Sequence, residues 1–244
     1  MDELIGKRGV IDYYLQDVTG KSEDAQVLPL LLMSQGYILG ARPGSLGKQN
    51  IEATQRVSSI TGWSVLSFWP SGVGDSDGDF TLLNAAEDIL AVVSYVEDKA
   101  LARQVVLLGF DVMGAVFLSV ASQLDVVGGV VAVGSDAGPK GLIEPSSLVT
   151  RLALSSVKTP VGYDLKTVEN EVAKIEQEAL GCLDKVPTLV VVTTERYRSR
   201  TADSIFGADS FSEVELHSFI TDEVSLRYDP QLYAVLTGWL DRNF

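Results

Sequence analysis

The stretch Gln104-Val-Val-Leu-Leu-Gly-Phe-Asp-Val-Met-Gly-Ala115 constrains the fold more than any other part of the chain. Val105 to Leu108 is a continuous apolar run, which predicts a strand buried on both faces. Val112 to Gln123 follows as an apolar, small-residue segment that predicts a helix. Only the turn Gly109-Phe110-Asp111-Val112-Met113-Gly114 joins the two. A strand buried on both faces that leads straight into a packed helix belongs in a mostly parallel sheet covered by helices.

The rest of the chain repeats this alternation. Strands are expected at Gly9–Leu15, Leu28–Met33, Ser64–Trp69, Gln104–Gly109, Val126–Val133, Thr188–Thr193 and Glu213–Ile220, and helices at Lys48–Thr61, Leu82–Lys99, Val112–Gln123, Leu165–Leu183 and Gln231–Asn243. Gly9 to Val18 alternates apolar and polar residues and is set apart by Thr-Gly-Lys-Ser-Glu-Asp, which predicts an antiparallel edge strand. In Asp75-Ser-Asp-Gly-Asp79 the pattern of a calcium loop is incomplete, and a turn in which Asp79 or Thr81 caps the next helix is expected instead.

At 244 residues the chain suits one α/β domain, and its apolar runs are too short to cross a membrane as a helix. The N-terminal residues lack the apolar core of a secretory signal, so a soluble, cytoplasmic protein is expected. A net charge of −14 disfavours nucleic acid and anionic lipid as partners. The lone Cys182, between Leu180 and Leu183, is expected in the core rather than as an activated thiolate.

Three segments together resemble the α/β-hydrolases. Trp63-Ser-Val-Leu-Ser-Phe-Trp-Pro-Ser-Gly-Val-Gly-Asp-Ser-Asp-Gly-Asp-Phe80 resembles the strand and loop that precede their nucleophile elbow, Gly109 to Ala115 resembles the elbow G-x-S-x-G itself, and Leu226-Arg-Tyr-Asp-Pro through Gly238-Trp-Leu-Asp-Arg resembles their C-terminal helix. The chain is most similar to a bacterial group whose elbow reads G-F-G-x-G-G, without a serine. The resemblance implies a doubly wound, mostly parallel sheet in a single domain spanning 1–244, with a short helical cap insertion at about 139–185.

It also locates the catalytic positions, each of which departs from the active pattern. Asp111 stands at the nucleophile position. The acid is expected near Tyr197 and the base near Val224, whereas the one histidine, His217, comes about seven residues too early; Gln35-Gly36 replaces the His-Gly that helps to build the oxyanion hole. Alternation puts His217 on one strand face with Glu213, Glu215 and Phe219.

An Asp111 nucleophile would require a base for water attack on the aspartyl ester, and no histidine is placed to serve. The plainer reading makes Asp111 a cap for the helix at Val112. A dinucleotide-binding reading of the same turn fails because Asp111 would face the pyrophosphate. Ser71, Ser119 and Ser135 are the candidates for a relocated nucleophile, none in an elbow.

The expectation is therefore a hydrolase scaffold with a degenerate triad, non-hydrolytic, with no cofactor or metal, binding a small molecule or a protein partner. Its pocket would be lined by Gln35, Gly36, Tyr37, Trp69, Pro70, Phe110, Asp111, Val112 and Val224, which follow strand C-termini, and would suit an apolar or weakly cationic molecule. The alternative is a divergent esterase, thioesterase or Asp-nucleophile hydrolase.

Overall fold

The computed structural model describes residues 3–18, 29–36, 45–134, 143–183, 185–193, 213–221 and 223–244. Strands β3 (Tyr13–Gln16), β4 (Leu30–Ser34), β5 (Ser64–Phe68), β6 (Val105–Phe110), β7 (Val127–Val133), β8 (Thr188–Thr193) and β9 (Val214–Phe219) form one sheet in the order β3-β5-β4-β6-β7-β8-β9. All pairs are parallel except β3 with β5, so the first long strand is the antiparallel edge that its alternation predicted. The expected Gly9–Leu15 strand is broken, however: Gly9–Val10 is β2 of a two-stranded hairpin with β1 (Ile5–Gly6), and β3 begins only at Tyr13.

Period-two side-chain alternation sorts the sheet into two cores. Leu30, Leu32, Val105, Leu107, Val130 and Val190 pack on one side with α2 (Leu82–Asp98), α3 (Val112–Ala121) and α5 (Leu165–Leu180). Leu31, Met33, Val106, Leu108, Val131 and Val191 face the other, with Leu232, Leu236 and Trp239 of the C-terminal helix α7 (Pro230–Asn243) and Val57 of α1 (Ser45–Thr61). Every residue of β4, β5, β6 and β8 is buried, as the apolar runs of β4, β6 and β8 require, and in β5 the buried Ser67 accepts from the Thr54 hydroxyl (2.7 Å).

Two helices start where the sequence predicted none. α4 (Pro145–Leu154) carries Pro145 in its first turn, and the short α6 (Glu223–Leu226) follows β9. Proline is tolerated there because the first helical N–H groups have no partner in the helix anyway. α5 packs against both α2 and α3. Glu171 of α5 reaches the N-terminus of α2, where it accepts from Leu82 N (2.9 Å) and from the Tyr163 hydroxyl (2.8 Å). Thr81 caps α2 through Asn84 N, as expected, and Asp77 bonds the backbone of Val10, tying the acidic turn to the hairpin. Cys182 lies in the core, where burial pushes its thiol up to about 11. Among the described residues, no helix is long and apolar enough to cross a membrane.

Candidate functional site

β6 ends at Phe110 and α3 starts at Val112, leaving Asp111 alone to reverse the chain. It does so at φ 52° and ψ −133°, a backbone conformation that costs a non-glycine residue about 1–3 kcal/mol. Neighbouring contacts hold it there. Asp111 N donates to Val133 O (2.8 Å) and Gly114 N donates to Asp111 O (3.0 Å). The turn is also too tight for a side chain at Gly109, whose Cβ would come within 2.6 Å of Gly114 N. At Gly134 (φ 120°) a Cβ would stand 3.0 Å from Asp111 Oδ1.

The Asp111 carboxylate does not cap α3. This corrects the capping expectation, and the reason is a stronger partner: Oδ2 accepts a short, charge-assisted hydrogen bond from Arg227 Nη2. The pair is largely buried, with side-chain exposures of 12% for Asp111 and 15% for Arg227. Arg227 also donates to Gln35 O (3.1 Å) and Gln35 Oε1 (3.3 Å), and its guanidinium lies 5.1 Å from the Phe110 ring centroid. Its own carbonyl accepts from the Tyr233 hydroxyl at 2.6 Å, which anchors it to α7. Arg227 thus gathers Gln35, Phe110 and Asp111, residues far apart in the chain, into one constellation.

Sequence reasoning missed Arg227, which follows α6 three positions beyond Val224, the expected place of the base. A proton acceptor was expected there, and a guanidinium is only a donor. A signal was present nonetheless: a carboxylate at a buried turn needs a counter-charge, and Leu226-Arg-Tyr-Asp-Pro supplies one after the last strand.

The other predicted positions divide. Gln35 and Gly36 follow β4 beside the elbow. Trp69 and Val112 are fully buried in the core with α2 and α3. Val224 lies on α6, whereas Tyr37, Tyr197 and Ser135 fall outside the described residues. His217 is on β9, where its Nε2 meets Glu215 Oε1 at 2.6 Å, consistent with their shared face. Three strand spacings, about 14 Å, separate its strand from β6 and the elbow.

Neither described serine presents a free hydroxyl: Ser119 Oγ donates to Val116 O (2.7 Å), and Ser71 Oγ donates to Asp88 Oδ1 (3.0 Å). Asp88 also accepts from Ser71 N (2.7 Å), and burial holds its carboxyl above the usual range despite these bonds.

A strained single-residue turn after a central strand, an antiparallel first edge strand and five further parallel strands leave one architecture. The chain has the α/β-hydrolase fold. It superposes over its whole length on Est1E from Butyrivibrio proteoclasticus, recorded with ferulic acid bound (17% identity, 100% of this chain and 99% of that one, TM-score 0.67). An esterase from Pyrococcus furiosus is similar over 99% of this chain and 89% of its own (14% identity, TM-score 0.65). A lidless α/β serine hydrolase from Xanthomonas campestris matches over 99% and 91% (17% identity, TM-score 0.57). Neither a known protein family nor a curated protein matches the sequence. At these identities the likeness concerns the hydrolase fold, and the chemistry has to be argued from the residues.

Proposed function

We propose that this chain is a non-hydrolytic α/β-hydrolase-fold protein that has kept the elbow as a binding element. The observation that carries this reading is the Asp111–Arg227 pair. Hydrolysis through Asp111 needs two things: a carboxylate oxygen free to attack, and a base to activate water against the resulting ester. Arg227 engages Oδ2 and draws charge from the carboxylate, and because a guanidinium cannot take a proton it offers no base to direct water at an ester formed on Oδ1.

A ligand at this elbow would meet Phe110, the Arg227–Asp111 pair and Gln35, whose buried Nε2 has no hydrogen-bond partner among the described residues. Because Arg227 already balances the charge of Asp111, a cationic ligand gains little. An apolar molecule carrying a carbonyl or ether acceptor suits the constellation better than a weakly cationic one.

The second reading, an Asp-nucleophile hydrolase, draws on the strained Asp111 backbone, the conformation that presents a nucleophile at an elbow. One assay separates the two. Purified protein incubated with p-nitrophenyl acetate and butyrate, and with a primary alkyl halide and an epoxide on which a carboxylate nucleophile would form an aspartyl ester, is expected to give no turnover above buffer. Turnover that Asp111→Asn abolishes would establish the nucleophile and refute the binding reading.

A further inference from the structure

Among the described residues β9 is the last strand of the sheet, joined to β8 on one side through an unbroken parallel register from Val214 to Phe219. Its sequence, Val-Glu-Leu-His-Ser-Phe, has no proline, lysine or bulge to discourage a further strand.

Which backbone groups face outward follows from one bond. Thr188 N donates to Glu213 O, so Glu213 points its main-chain groups at β8, and so do Glu215 and His217 at intervals of two. Val214, Leu216 and Ser218 therefore turn their N–H and C=O groups away from β8. We propose that this edge pairs with the same edge of a second copy, antiparallel and centred on Leu216.

Three features make β9 complementary to itself in that register. Leu216 faces Leu216 of the second copy and Val214 faces Ser218, so the outward groups meet as hydrogen-bonded pairs and form about six bonds. Glu215 then lies opposite His217, twice, at non-hydrogen-bonded positions with Cα atoms about 4.5 Å apart, where side chains are closest. Finally, Glu215 is already bound by Arg242 of α7 (Nη2–Oε2 2.7 Å), so the junction joins paired charges and traps no net charge despite the acidic chain. A one-residue shift of the centre would set Glu215 against Glu215 or His217 against His217, and would present the wrong set of backbone groups. The product is a two-fold dimer with one continuous sheet running through both copies.

The contact is short, so association is expected to be weak, with Kd on the order of 10 µM. Sedimentation velocity of the full chain across about 1–300 µM should show a monomer–dimer equilibrium around that value. Leu216→Pro removes an outward N–H and leaves the β8 ladder intact, so it should abolish the dimer. Two further variants guard against a folding defect: Glu215→Lys places cation against His217, and His217→Glu places anion against Glu215. Each alone should stay monomeric, and an equimolar mixture should form the heterodimer.

A wild-type chain that stays monomeric throughout overturns the proposal. So does a dimer that persists in folded Leu216→Pro protein, or a mixture of the two charge variants that does not associate.

Discussion

Replacing Asp111 by alanine and by glycine separates the backbone strain of the elbow from the ion pair that accompanies it. Both substitutions remove the carboxylate and lose the Arg227 contact equally. Fully exposed pairs contribute under about 1 kcal/mol, and breaking a buried one costs about 3–5 kcal/mol. Asp111 and Arg227 are 12% and 15% exposed, and Arg227 keeps both bonds to Gln35. A loss of about 2 kcal/mol is therefore expected from the pair.

Alanine retains the strain of φ 52°, ψ −133°, whereas glycine relieves about 2 kcal/mol of it and gives back about 0.7 kcal/mol through its freer unfolded chain. Asp111→Gly should then be more stable than Asp111→Ala by about 1 kcal/mol, the reverse of the usual order within regular structure. Urea unfolding followed by tryptophan fluorescence measures this directly, and for m of about 2.5 kcal/mol/M the alanine midpoint should fall by about 0.8 M. An alanine variant as stable as the glycine variant would refute the assignment of strain to this residue.

Arg227→Lys should lose about 1–2 kcal/mol in the same unfolding assay, because an ammonium cannot span Asp111 and both oxygens of Gln35 as the guanidinium does; equal stability would mean that charge alone matters. Gly109→Ala should cost about 3 kcal/mol or more, since its Cβ has backbone atoms on the elbow at 2.6–2.7 Å, and a near-neutral result would show that the turn can open. The stability of Asp88→Asn relative to wild type should rise as pH increases from about 4 and level off above the raised native pKa. The sign follows from burial: folded Asp88 holds its proton more tightly than the unfolded chain does, so ionising it consumes stability. A pH-independent difference would remove Asp88 as the cause.

The central strands were legible because short β-branched runs such as Val105–Leu108 and Thr188–Thr193 suit a strand buried on both faces, and their bounds moved by only a residue or two, whereas the first strand broke and began four residues later than expected. What escaped was of two kinds. No helix was expected at Pro145, although proline also opens helices, and only the packing of α4 on α5 shows that one starts there. At the site, the elbow was identifiable from Gly109 and Asp111, but the partner of Asp111 was not. Arg227 lies 116 positions away, and no local periodicity encodes a contact of that separation.

That separation bears on the order in which the molecule is completed. The elbow is made from residues near the middle of the chain, yet the guanidinium that balances it is anchored to the C-terminal helix through Tyr233. A nascent chain emerges from the ribosome N-terminus first, so β4, β6 and α3 are available for packing well before Arg227. Until then the Asp111 carboxylate lacks its counter-charge, although the backbone bonds to Val133 and Gly114 already hold the turn. Residues that emerge more than a hundred positions later thus complete a site whose backbone was laid down before them, and a chain truncated before α6 should keep the sheet's centre and the turn while leaving the Asp111 carboxylate unpaired.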